Sequence, residues 1–166
     1  MTLLPILRFP HPGLRLPAAP VVAFDAALRR LAEDLTETLR AAPGVGITAP
    51  HVGIPQRLVV LDLAPERGPE VFVNPEILWF SEEKIRHAEG SLSMPGVTEE
   101  LERPARIRLR WRDLNGLERT EEAEGFRAIC HQHEIDQLDG IFWIQRLSKL
   151  RRDRLVKKYE KLRRTA

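Results

Sequence analysis

The chain has 166 residues, 43% hydrophobic and 30% charged, the balance of a soluble globular protein with a real core rather than a fibrous or disordered chain. No apolar run approaches the ~20 residues that a membrane span needs, and a single cysteine excludes an internal disulfide and suits a reducing cytoplasm. The net charge of +2 hides an asymmetry: residues 146–166 hold ten Lys and Arg against two acids, a local +8 that leaves −6 on the rest.

The sequence opens on Met1-Thr2-Leu3-Leu4-Pro5, without a charged n-region or a long apolar stretch, so no signal peptide and no membrane partner is expected. Residues 3–20 are rich in Pro and Leu, cannot hold a regular helix and read as an extended arm over the surface. Phe24 to Arg40 reads as a helix, because Leu28, Leu31, Leu35 and Leu39 recur at helical spacing and Pro43-Gly44 ends the pattern. Gly44-Val45-Gly46 then predicts a tight loop where backbone approaches another group closely.

Gln56–Leu63 and Val71-Phe72-Val73 read as strands, with Asn74-Pro75 as a turn between Val73 and the next strand. Ile77–Phe80 and Lys84–Ala88 read as a strand pair leading into Glu89-Gly90-Ser91-Leu92-Ser93. Thr98–Leu101 and Arg106–Trp111 follow as strands. In the second, Ile107, Leu109 and Trp111 alternate with arginines, the pattern of one buried and one solvated face. Asp113-Leu114-Asn115-Gly116 predicts a hairpin turn, from which Leu117–Glu122 returns.

Glu124–Leu138 reads as a helix stopped by Gly140, and it carries Cys130-His131-Gln132-His133-Glu134-Ile135-Asp136-Gln137. Positions four apart share a helix face, so His133 and Gln137 point the same way. With histidine at both, the stretch would be H-E-x-x-H, two imidazoles gripping a metal beside a general-base glutamate. Here the first histidine and the glutamate are present and the second histidine is Gln137. His131 lies ~200° round the helix from His133, and His11, His87 and His131 read as surface or satisfied histidines. Glu134 is expected to be a pocket carboxyl with a raised pKa or a partner. The final helix is basic, and Leu147, Leu150, Leu155, Tyr159 and Leu162 are its candidates for packing on the body.

Three segments together, Gly44-Val45-Gly46-Ile47-Thr48-Ala49-Pro50-His51, Glu89-Gly90-Ser91-Leu92-Ser93 and Gln132-His133-Glu134-Ile135-Asp136-Gln137-Leu138-Asp139-Gly140, resemble the three signature motifs of the peptide deformylases. The likeness extends over nearly the whole chain. It implies an α+β fold, antiparallel sheets around a central motif-bearing helix with a C-terminal helix, as one domain over 1–166. It also implies a cleft for formylated-Met peptide N-termini, lined by Gly44, Val45, Gly46, Glu89, Gly90 and Leu92.

In that family a cysteine thiolate and two histidines hold a divalent metal, usually iron, whose bound water is made nucleophilic toward the formyl carbon. Those ligand positions carry over as Ser91, His133 and Gln137, with Glu134 as the acid/base. A serine hydroxyl stays protonated near neutral pH and a glutamine carbonyl is a weak donor, so only His133 is a good ligand. The glutamine that donates to the developing oxyanion in the family is replaced by His51, a residue able to donate once or to act as acid, base or ligand. Taken alone the exchange reads as drift at an abandoned site, and Thr48 adds a hydroxyl where the family has alanine.

The expectation is therefore a deformylase-like protein with lost or strongly reduced metal binding and activity that keeps peptide-N-terminus binding. One alternative is a working hydrolase with a rearranged iron, zinc or nickel site using His51 or Cys130. The other is a ribosome or RNA contact through residues 146–166.

Overall fold

The computed structural model describes residues 2–165. The N-terminal arm runs extended apart from one short 3-10 turn, Pro12–Arg15, which starts on a proline that needs no N–H there. Helix α1, Ala26–Ala41, starts at Asp25, whose carboxylate accepts the Leu28 N–H at 3.0 Å, and buries Leu28, Ala32, Leu35 and Leu39 against the sheet.

Five strands form one antiparallel sheet: β1 (Gly46–Thr48), β2 (Leu58–Leu61), β3 (Glu70–Phe80), β6 (Arg106–Arg112) and β7 (Glu118–Glu124), in the order β1-β2-β3-β6-β7. Strands β4 (Lys84–Ser91) and β5 (Met94–Pro104) pair with each other in a separate two-stranded sheet. The predicted alternation holds in the first part of β6, where Ile107 and Leu109 are fully buried and Arg106 and Arg108 exposed, and fades at Arg110 and Trp111, which are both half-buried. The β6–β7 turn is closed by Asp113, whose Oδ1 accepts the N–H groups of Asn115 and Leu117.

Two sequence expectations are overturned here. Asn74-Pro75 is not a turn: β3 runs straight through it on a bulge between Val73 and Glu76. Proline costs nothing where the ladder is interrupted, and asparagine tolerates the left-handed φ of 51° at Asn74. The Asn74 amide accepts from Val21 N–H and donates to Val21 C=O, anchoring the arm. Nor do residues 77–80 pair with 84–88, since β3 pairs with β2 and β6 while β4 pairs with β5.

Helix α2, Gly125–Leu138, is buried along most of its length between the sheets. It ends at Gly140, where φ is 78° and a Cβ would meet the Arg15 carbonyl at 2.6 Å, so the arm can cross only over glycine. Helix α3, Lys149–Thr165, lays Leu155 and Tyr159 on a cluster with Met94, Val97, Leu101 and Trp143, and Leu147 joins it from the preceding loop. Leu150 and Leu162, expected to pack there, are 61% and 41% exposed because the helix touches the body along a narrow stripe.

Candidate active site

A cleft of ≈ 330 Å³ opens between the free edge of β1, the end of β4 and the face of α2. Of the residues singled out from the sequence, Gly44, Val45, Gly46 and His51 line it from the first motif. Glu89, Gly90, Ser91 and Leu92 line it from the second, and Cys130, His133 and Glu134 from the third. Gln137 does not. Its side-chain amide donates to the Leu14 carbonyl at 2.7 Å and it is 2% exposed, tied to the arm.

Phe126 and Ile129, not singled out from the sequence, also line the cleft, and the His87 ring lies tilted against Phe126 at a centroid distance of 5.0 Å. The 126/129/130/133/134 spacing on one helix face is the signal that marks them. His131, expected at the surface or satisfied, is instead 1% exposed, edge-on to Phe72, and its Nε2 has no hydrogen-bond partner among the described residues. It is outside the cleft.

His133 is held by a chain of charges. Its Nδ1–H donates to Glu89 Oε1 at 2.8 Å, and Arg103 grips the same carboxylate through Nε (2.6 Å) and a terminal nitrogen (2.9 Å). Arg103 reaches on to Asp136 at 2.9 Å, and Asp136 accepts twice from Arg146, at 2.7 and 3.0 Å. Asp136 thus links the two arginines in this network. Burial pushes the Glu89 carboxyl up, but the bonds and charges of His133 and Arg103 outweigh it and hold the group down to about 2. Such a carboxylate fixes a histidine with Nδ1 occupied and Nε2 turned outward, the arrangement found behind metal ligands.

Glu134 is fully enclosed. Its pKa is raised, by burial first, and Oε1 has no partner among the described residues. Its other oxygen fills the place a side chain would take at position 46: a Cβ there would lie 2.5 Å from Glu134 Oε2, which is why the first motif needs its second glycine. His133 is raised despite its burial, because Glu134 and the Glu89 bond favour its charged form.

The donors present do not fit the metal that the resemblance implies. Ser91 Oγ is a neutral hydroxyl that accepts the Ser93 N–H at 3.1 Å. Gln137 faces the arm. Burial first, then Glu134 and Glu89, push the Cys130 thiol up to about 12, so it stays protonated and offers no thiolate. Among the described residues no group of three or more His, Cys, Asp or Glu is placed to hold a metal ion.

The family model described as polypeptide deformylase matches residues 3–153. A peptide deformylase-like protein of Brucella melitensis is 64% identical over 164 residues, covering 99% of this chain and 100% of the relative. A peptide deformylase of Phenylobacterium zucineum is 45% identical over 164 residues, 97% of each chain. Among solved structures, peptide deformylase from Ehrlichia chaffeensis superposes with a TM-score of 0.92 at 36% identity, over 99% of this chain and 98% of that one. Its complex with actinonin gives 0.91 at 37% identity, over 97% and 98%.

Proposed function

The chain belongs to the polypeptide deformylase family, and from this we propose that it keeps a cleft for peptide N-termini while its metal-dependent hydrolysis is lost or strongly reduced. The observation that carries the reading is Gln137, whose amide is spent on the Leu14 carbonyl instead of facing the cleft. With Ser91 neutral and engaged, one imidazole remains where three strong donors are needed.

The binding half rests on backbone. β1 and β4 are each unpaired on the side that faces the cleft, so an extended peptide can lie between Gly44–Gly46 and Ala88–Gly90 and hydrogen-bond to both. Val45, Leu92, Phe126 and Ile129 supply apolar lining for a methionine-like first side chain. Glu89, bonded to Arg103, keeps His133 oriented at the closed end. The expected place of action is the cytoplasm, on nascent or finished chains.

Elemental analysis of protein grown and purified anaerobically, without a metal-binding tag, tests the metal half. Metal well below one equivalent is expected. Near-stoichiometric iron, zinc or nickel that disappears in His133→Ala overturns it. The pair Ser91→Cys and Gln137→His is expected to raise metal content as a gain of function.

A second reading concerns α3. Arg152, Arg154, Lys157, Lys158, Lys161 and Arg164 make no ion pair among the described residues, whereas Arg151 is held by Glu99. A free cationic row of this kind suits ribosomal RNA or another polyanion. Anisotropy with an rRNA fragment is expected to show affinity falling steeply with salt, and a shallower slope after Lys157→Glu and Lys161→Glu.

A further inference from the structure

Ser91 and His133 line the same cleft, and each keeps a free group there. Ser91 ends β4 at a tight turn, where only Leu92 and Ser93 separate it from Met94, the first residue of β5. Its Oγ accepts the Ser93 N–H at 3.1 Å, which holds the side chain but uses only a lone pair. The hydroxyl proton has no acceptor among the described residues.

Glu89 stands two residues earlier on the same strand, and side chains two apart on a strand share a face. Arg103 holds Glu89 as a carboxylate, which can only accept, so His133 Nδ1 carries the proton of their 2.8 Å bond. In the neutral ring the lone pair then lies on Nε2. That nitrogen makes no hydrogen bond among the described residues and is not one of the sealed unpartnered atoms, so it opens into the cleft.

The arrangement is costly. Arg103 and Glu89 are buried, and a buried ion pair loses about as much in desolvation as it gains in attraction. Strand edges that bind a peptide through backbone need none of it. A hydroxyl nucleophile, an imidazole to take its proton and a buried carboxylate behind the imidazole are the parts of a serine hydrolase.

We infer that Ser91, His133 and Glu89 form a metal-independent acyl-transfer triad that acts on small carboxylic esters. Ser91 is the nucleophile, His133 the general base and Glu89 the positioning residue. The inference rests on the metal half of the reading above, since an ion on His133 Nε2 would take the lone pair that the serine proton needs. Ser91 and His133 are not bonded to each other in the free protein. Catalytic hydrogen bonds of this kind commonly close only around substrate.

In the reaction Ser91 Oγ bonds to the ester carbonyl carbon and its proton passes to Nε2. The carbon–alkoxy bond breaks, and the alcohol leaves with that proton. Water then attacks the acyl-serine, its proton returns through Nε2 to Ser91 Oγ, and the carboxylic acid is released. One good metal donor supplies no Lewis acid to polarise a carbonyl, so the substrate needs a better leaving group than an amide nitrogen. The ≈ 330 Å³ of the cleft and its lining by Val45, Leu92, Phe126 and Ile129 suit a short apolar acyl group.

The test uses full-length protein dialysed against EDTA, with metal content measured on the same sample. p-Nitrophenyl acetate is expected to release a burst of one equivalent of nitrophenolate, followed by slow turnover. Mass spectrometry is expected to place one acetyl group, and in a second arm one alkyl fluorophosphonate, on Ser91 of folded protein and not of urea-unfolded protein. Ser91→Ala is expected to remove burst and label, and His133→Ala to slow acylation by about 100-fold or more. Glu89→Gln is expected to lower kcat and leave KM unchanged.

A burst and label that survive Ser91→Ala overturn the triad, and so does metal-free folded protein that never labels at Ser91. In the second case the loss of metal still stands. Near-stoichiometric metal together with an activity that the chelator abolishes brings down both. Labelling of Ser91 is read on unmodified protein, so a variant that fails to fold leaves that arm decisive.

Discussion

Arg103 and His51 show two ways in which one buried polar side chain commits its surroundings. Arg103 is 5% exposed and neutralises both Glu89 and Asp136. Removing one partner of such a buried network strands the others, at a cost of about 3–5 kcal/mol. Arg103→Met is therefore expected to lower urea stability by that order, and Arg103→Lys to recover only part of it, because an ammonium cannot span the Glu89 carboxylate as the guanidinium does. His51 has the opposite character, a neutral ring kept from its proton. Its folded pKa of about 3 lies below the ordinary 6.5, so the unfolded chain takes up the proton first. The stability from keeping the ring neutral is whole above pH 6.5 and is lost as pH falls toward 3, at up to ~1.4 kcal/mol per pH unit. Denaturation curves between pH 7 and 5 are expected to show this slope in the wild type and a shallower one in His51→Gln.

At the scale of elements, the arm and α2 are coupled through Gln137, at a position where the family has a metal ligand. Gln137→Ala leaves the Leu14 carbonyl buried without its donor, a loss of about 1–3 kcal/mol. The same variant is expected to raise hydrogen exchange at Ala18, whose N–H donates to the Leu138 carbonyl one residue further on. Helix periodicity made α1 legible almost to its ends, and the arginine alternation made β6 legible, because burial on one face writes a repeat into the sequence. Buried nearly all round, α2 carries no such repeat and was marked by its motif and by Gly140. The bulge at Asn74-Pro75 was not legible, because the same dipeptide serves a turn, and only the contact with Val21 decides. Strand pairing was likewise hidden, since β3 and β4 adjoin in sequence and part into separate sheets. Within the cleft the residue types were readable from the three motifs. The direction of Gln137 was not, because its partner lies 123 residues away in the arm.

Over the whole molecule, the two sheets, α2 and the basic C-terminal helix put the cleft on one side of an acidic body with a cationic end. The arm crosses all three motifs on its way: Leu7 N–H bonds the His51 carbonyl, Phe9 N–H the Ser93 carbonyl, and Gln137 the Leu14 carbonyl. These contacts have a consequence for the order of assembly. The arm leaves the ribosome ahead of every partner it will bind, and closing loops as long as the 123 residues to Gln137 is slow compared with forming helices and hairpins. Pulse-labelled refolding is expected to protect the β6–β7 hairpin early and the amides of Leu7, Phe9 and Ala18 last, in step with the appearance of peptide binding. A chain stalled before α2 has been made would lack the bonds that hold Leu14 and Ala18 and would carry a cleft without its floor, so the site comes into being only once α2 has been made.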